Sequence, residues 1–377
     1  ADWKTSLERL QRACANPREQ LDRYLEQGKQ VVGCFAPYAP EELVHAAGLI
    51  PMGMWGGRTE LKLAKSYLPA FACPIMQANM ELGLKGAYQG ISAVIIPTMC
   101  DTLRCMTQNW RFGMKDIPMI PIVYPQNRTS PASVDYLISE FETVLTILYT
   151  ITGNMVSEKS MEEAIAVYNQ HNATMREFDT AANDHLDVIT PKVRHVVHKS
   201  AFFFEKGEHT ALVQEIIAGL KELPAHHWTG NKIILAGILC EPEEVLDILE
   251  ENQLAVVADD LAQESRQYRT DTPEKGGGAL KRLALQWNAR YGCSLIHELG
   301  KPRGKMLAKM CQETGEKKAD GVISCMMKFC DPEEYDEPYL EADLRKAGIH
   351  VMNIDIDPLN HSYEQVRTRV QSFCEML

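Results

Sequence analysis

The chain reads as an α/β protein: two doubly wound parallel-sheet lobes joined by a helical connector. Three observations predict this. Short apolar, β-branched runs such as residues 93–96 and 321–323 alternate with longer amphipathic stretches, as parallel strands covered by helices do. Residues 157 to about 223 break that alternation, with helical spacing and no strand-like run. One local device also occurs in both halves: a strand, a short loop, then Cys-Asp opening a helix, at Cys100-Asp101 and again at Cys330-Asp331.

Taken in order, residues 2–27 place Leu7, Leu10, Ala13, then Leu21, Tyr24 and Leu25 at helical spacing, so 1–28 is read as an N-terminal helical segment. The first lobe, 29–152, opens with a strand at 29–35. A helix follows over 40–48, with proline at its start and glycine at its end. A short strand at 49–55 ends at Gly56-Gly57, and a helix begins at Cys73-Pro74. The 93–96 strand is stopped by Pro97. Asp101 is expected to cap a helix that buries Leu103, Met106 and Trp110, before a strand at 119–123 and a long helix over 134–151.

The connector, 153–229, holds two or three helices broken at Pro191 and Gly207 and closes in the linker 224–230. The second lobe, 230–377, starts with a strand at 232–238, then a helix near 243–250, a strand at 254–258 and helices near 280–290 and 304–313. A strand ends at Cys325. Asp331 is expected as the next cap, with Pro332 at the first helical position and Glu334 completing a capping box. That helix runs over 333–347, followed by a strand at 349–354 and a last helix over 362–375. The glycine run 276–278 follows no strand and is a flexible turn, not a phosphate loop.

Composition bounds the function. A chain of 377 residues is long enough for about two domains. A formal net charge of −12 excludes a nucleic-acid partner, which needs a basic face. No apolar run reaches the ~20 residues that span a bilayer, and no export signal is read. Eleven irregularly spaced cysteines do not form a disulfide framework, so a reducing cytoplasm is expected. Neither a phosphate-binding G-x-x-x-x-G-K-[ST] nor a dinucleotide G-x-G-x-x-G after a strand is present.

Cys73, Cys100 and Cys330 are each expected at a helix N-terminus. There the free N–H groups and the dipole favour a thiolate, so the thiol pKa should fall. That suits a metal ligand, and an iron–sulfur cluster better still. The competing reading is that all three are buried apolar fillers, since no close C-x2-C pair supports a cluster. His195 and His198 are a weak metal-ligand pair. Arg266 and Arg269 could meet a ligand's phosphates, but pairing with Asp259, Asp260 or Glu264 is favoured. The methionines at 52, 54, 326 and 327 are read as core.

Longer stretches carry a resemblance. These are Val32-Gly33-Cys34-Phe35 through Pro40-Glu41-Glu42-Leu43, Ala46-Ala47-Gly48, Trp55-Gly56-Gly57 and Cys100-Asp101-Thr102-Leu103-Arg104, together with residues 257–266 and 326–334. Across essentially its whole length the chain resembles the smaller (beta) subunit of the (R)-2-hydroxyacyl-CoA dehydratases. That family includes the 2-hydroxyglutaryl-, 2-hydroxyisocaproyl-, phenyllactoyl- and lactoyl-CoA enzymes of anaerobic bacteria.

The resemblance implies a heterodimer with a larger homologous alpha subunit, a 4Fe-4S cluster held here by Cys73, Cys100 and Cys330, and a separate ATP-dependent iron–sulfur activator. It implies elimination of water through ketyl radicals to an (E)-2-enoyl-CoA, with the acyl-CoA mainly at the partner and an electron relay or store in this subunit. No catalytic acid or base is assigned in this chain. Flavin, bound by some relatives, is not legible in these residues. Cys105 is the less favoured ligand, Cys325 is read as core, and Cys34 as a cleft residue that binds no iron. The alternative use of such a chain is a double-cubane or benzoyl-CoA-reductase-type component.

Overall fold

The computed structural model describes residues 2–313 and 319–377. Its strands form two four-stranded parallel sheets. The first holds β1 (Val31–Phe35), β2 (Ile50–Met54), β3 (Ala93–Pro97) and β4 (Met119–Ile122) in the order β2-β1-β3-β4. The second holds β5 (Lys232–Gly237), β6 (Ala255–Leu261), β7 (Gly321–Met327) and β8 (His350–Ile356) in the order β6-β5-β7-β8. Both lobes therefore run second, first, third, fourth. The central strands β1 and β3 are buried at every position, which is why they read as unbroken apolar runs.

The N-terminal segment is a helical pair, α1 (Trp3–Ala15) and α2 (Pro17–Glu26). The Asp2 carboxylate accepts from the Lys4 N–H at 3.1 Å, and the Asn16 side chain accepts from the Glu19 N–H at 3.4 Å. The first lobe adds α3 (Glu41–Ala46), α4 (Pro74–Leu84), α5 (Asp101–Gly113) and α6 (Ala132–Thr152). The connector is three helices, α7 (Glu158–Ala182), α8 (Pro191–Ser200) and α9 (Lys206–Lys221). Pro191 does open α8, but Gly207 lies in the first turn of α9, after the cap residue Glu205. The second lobe carries α10 (Glu243–Glu251), α11 (Ala279–Ala289), α12 (Arg303–Glu313), α13 (Asp331–Lys346) and α14 (Glu364–Cys374).

Two strands run further than the sequence pattern suggested. β6 continues through Asp259 and Asp260 to Leu261, and β7 passes Cys325 to end at Met327. The acids in β6 are tolerated because arginines meet them, Arg194 of the connector at Asp259 and arginines of the second lobe at Asp260, as described below. β5 leaves the sheet at Gly237, where φ is +131° and an added Cβ would lie 2.2 Å from the Cys325 carbonyl oxygen; only glycine fits.

The lobes meet through residues that sequence gave no reason to pair. The Arg128 guanidinium donates to the carbonyls of Trp287 and Asn288 at 3.2 Å each and of His297 at 3.1 Å. The rings of Tyr124 and Trp287 lie 4.1 Å apart, and the Trp287 indole N–H donates to the Pro125 carbonyl at 3.3 Å. No described helix is long and apolar enough to cross a membrane.

Candidate functional site

Cys100 and Cys330 occupy equivalent places. Each follows the third strand of its sheet. The first residue of each connecting loop donates to the last residue of the fourth strand, Thr98 N–H to Ile122 and Lys328 N–H to Ile356, both at 2.9 Å. Each cysteine is itself the N-cap, with Asp101 and Asp331 one place inside the helix. The expected aspartate caps are thus displaced by one residue. The capping box at Glu334 does not form, because Asp331 makes no cap bond and Glu334 is already in the second turn. Cys73 is likewise the N-cap of α4, with Pro74 at the first helical position. Phe329, with φ +60°, bends the loop that delivers Cys330, a conformation disfavoured for a bulky residue.

The structure brings the three thiols together. A thiolate at Cys100 is felt at Cys73, and thiolates at both are felt at Cys330, each raising its neighbour's pKa. They are not packed as tightly as ligands of a single ion. Among the described residues only Asp179, His198 and Asp259 offer three donor atoms within 4.8 Å of one another. All three cysteines are free and half-buried.

The expectation of lowered thiol pKa values is corrected. The amides do face the sulfurs: those of Met76 and Ile75 toward Cys73, Leu103 and Thr102 toward Cys100, Glu333 toward Cys330, and each lowers its thiol. Burial outweighs them, pushing Cys73 up to about 12, Cys330 well up and Cys100 up by less. The protons therefore stay on until something more strongly positive than a helix end displaces them. No sulfur makes a capping hydrogen bond within its own helix, and the Met76 N–H also donates to the Cys73 carbonyl at 3.1 Å.

The other singled-out residues sort as follows. Cys105 is exposed on α5, Cys325 is fully buried in β7, and Cys34 is buried in β1 within the core. Met52, Met54 and Met327 are core, with Met326 half-buried beside them. His195 and His198 are not a metal pair. His195 lies between Glu264 (2.8 Å) and Glu241 (3.0 Å), while His198 meets Asp179 at 2.8 Å. These acids raise the His195 pKa to about 9 despite burial. The compact Asp179–His198–Asp259 group is filled by the Arg194 guanidinium, which reaches Asp179 at 2.8 Å and Asp259 at 2.6 Å.

Arg266 and Arg269 pair with Asp260, at 3.3 and 2.6 Å, as favoured from sequence. What sequence reasoning missed is the rest of that network. Arg303 donates to Asp260 at 3.0 and 3.1 Å, to Glu333 at 3.3 Å and to Asp336 at 2.9 Å. The hydroxyl of Ser294 donates to Glu333 at 2.7 Å.

Two like lobes, each presenting a cysteine-capped helix after its third strand to a third such cysteine, define a two-lobed α/β protein with a shared thiol site. The model of the 2-hydroxyglutaryl-CoA dehydratase D-component family matches residues 37–377, and the chain belongs to that family. It is 46% identical over 374 residues to the lactoyl-CoA dehydratase beta subunit of Anaerotignum propionicum, covering 98% of both chains. It is 42% identical over 363 residues to the (R)-phenyllactyl-CoA dehydratase beta subunit of Clostridium sporogenes, covering 96% of both. Over 374 residues it is 36% identical to the (R)-2-hydroxyglutaryl-CoA dehydratase beta subunit of Acidaminococcus fermentans, covering 98% of both. The chain is accordingly a beta-type component of 2-hydroxyacyl-CoA dehydratases, which are hydro-lyases working as complexes.

Proposed function

We propose that this chain is the beta subunit of a heterodimeric (R)-2-hydroxyacyl-CoA dehydratase and that Cys73, Cys100 and Cys330 hold a 4Fe-4S cluster in it. The observation that carries this reading is the convergence of three cysteines, each the N-cap of its own helix and drawn from both lobes. The donor set fits the group. Three free thiols lie close enough to feel one another, are spaced too widely for one ion, and are faced by backbone amides suited to bonding an anionic cluster. When bound, such a cluster supplies a low-potential store for a single electron.

The chain's own residues explain how the site can be held ready. Cys73 and Cys100 come from one lobe and Cys330 from the other, so the Arg128 and Trp287 contacts that fix the lobes also fix the distance between the two donor sets. Cys73, Cys100 and Cys330 all pack, half-buried, against the apolar core cluster that includes Met99 and Met106. The sequence carries no G-x-x-x-x-G-K-[ST] loop, and in this reading ATP is hydrolysed by a separate activator protein. The larger alpha subunit then binds most of the acyl-CoA.

Electron counting tests the proposal. The complex is charged with activator, ATP and reductant, and excess reductant is removed before the 2-hydroxyacyl-CoA is added. Many product molecules per injected electron are expected, and air should abolish them. One electron pair consumed per product would place the chain among reductases. Turnover in air with neither ATP nor reductant would refute the radical reading.

A further inference from the structure

The three thiols are not held alike. Cys73 and Cys100 sit on helices whose first turns are free of buried charge; the Asp101 side chain beside Cys100 is 95% exposed. Cys330 sits on a helix whose third residue, Glu333, is completely buried. Its Oε1 accepts from the Ser294 hydroxyl at 2.7 Å and lies 3.7 Å from Arg266, while its Oε2 accepts from Arg303 at 3.3 Å. Both arginines are in turn fixed on the buried Asp260 at the end of β6. The backbone N–H of the same Glu333 faces the Cys330 sulfur.

We propose that Glu333 is a positioning residue for the site: Arg266, Arg303 and Ser294 clamp its carboxylate, and through it the start of α13, so that Cys330 and its facing amide meet Cys73 and Cys100 across the lobe boundary. This rests on the iron–sulfur reading above. Three features support a role beyond packing. A carboxylate taken wholly out of water needs strong partners, and here they come from three separate segments of the second lobe: the turn after β6, the loop before α12, and the start of α12. The clamp lies within one turn of the only thiol that the second lobe contributes. Its negative charge is also felt at Cys330, where it opposes the thiolate, so it bears on the charge the site can carry.

Arg266 extends the connection. Its Nη1 lies 3.3 Å from the Cys293 sulfur, and Cys293 is close enough to Tyr38 of the first lobe to raise that phenol's pKa. Tyr38 adopts φ +68° in the loop after β1, so the clamp is braced against the lobe that carries the other two thiols.

The test uses the full chain with its partner, in Glu333→Gln, Glu333→Ala and the control Asp101→Asn. Three readouts are taken: iron and sulfide per chain, the reduction potential of the site, and the alkylation rates of Cys73, Cys100 and Cys330 in metal-free protein, resolved by mass spectrometry. Glu333→Gln keeps partners for Ser294 and removes the charge, so iron content should hold while the potential shifts positive; Asp101→Asn removes a charge that is also felt at Cys100 but is solvent-exposed, so it should move the potential less. In Glu333→Ala, alkylation at Cys330 should rise roughly tenfold relative to the other two thiols, the opening expected when charge-assisted hydrogen bonds are lost. Equal change at all three thiols, or none, overturns the clamp. So does an unmoved potential in Glu333→Gln. If wild-type protein carries no iron, the cluster reading fails, while the alkylation ratio still decides for or against the clamp.

Discussion

The two lobes share a strand order and place a cysteine at the same point, yet they hold it by different physics. In the first lobe the surroundings of α5 are apolar: Trp110, Met106 and Leu103 are buried against the sheet, and the Phe35 and Trp110 rings meet edge-on at 5.4 Å. In the second, α13 is fastened by charge. Asp260, Glu333, Arg266 and Arg303 are all essentially inaccessible and all paired. A packed apolar helix end tolerates small shifts. A buried ion network does not, because every displaced charge is left without water or partner. The second lobe therefore gives Cys330 a sharply defined position, and the first seats Cys73 and Cys100 beside apolar core.

Substitutions can separate these modes. The largest effect is expected from Asp260→Ala, which removes the one carboxylate that three arginines of the second lobe share. A loss of about 3–5 kcal/mol follows from removing one member of a buried pair, read as an early transition in urea. Trp110→Ala should cost about 3–5 kcal/mol by cavity formation in the first lobe, with no change in the alkylation of Cys330. If Asp260→Ala instead shifted stability by less than about 1 kcal/mol, the charged lobe would be held by packing like its counterpart.

A pH effect should belong to the second lobe. Glu337 is buried on α13, accepts from Ser324 at 2.8 Å, and is raised by burial, with Glu333 adding to the shift, to about 7. Because the folded protein holds this proton and the unfolded chain releases it near the ordinary carboxylate value, the Glu337 contribution to stability should fall as pH rises from about 4.5 to about 7, against the opposite trend of the buried His171 and His209. The decline is on the order of 3 kcal/mol at most. Glu337→Gln should flatten that slope in urea titrations at pH 5 and pH 8. An unchanged slope would mean that another group titrates there.

The smallest effect is expected at the exposed Asp101–Arg104 pair, 3.6 Å apart. Asp101→Asn should change stability by less than about 0.5 kcal/mol.

The candidate thiol site could be proposed from sequence because Cys73-Pro74, Cys100-Asp101 and Cys330-Asp331 each join a strand or loop to a helix start. It misplaced the caps by one residue, since a cysteine at the N-cap leaves the following aspartate free to enter the helix. The direction of the thiol pKa values was not legible, because local amide geometry lowers them while burial, a property of the whole fold, raises them further. The clamp was half visible. Asp260 and Arg266 are six residues apart and read as a pair, whereas Arg303 lies 43 residues from Asp260 and 30 from Glu333, beyond any local pattern. The partners of His195 and His198, which sequence rated only a weak metal pair, were hidden for the same reason: their acids come from α7 and from the loops after β5 and β6.

The central claim is that one site draws its ligands from both lobes. Counting iron and acid-labile sulfide per chain after anaerobic purification tests it most directly, in wild type and in Cys73→Ala, Cys100→Ala and Cys330→Ala, with Cys105→Ala and Cys325→Ala as controls. Wild type and both controls should carry about four irons, and each of the three variants should lose cluster iron. A full complement in any two of those three would contradict it.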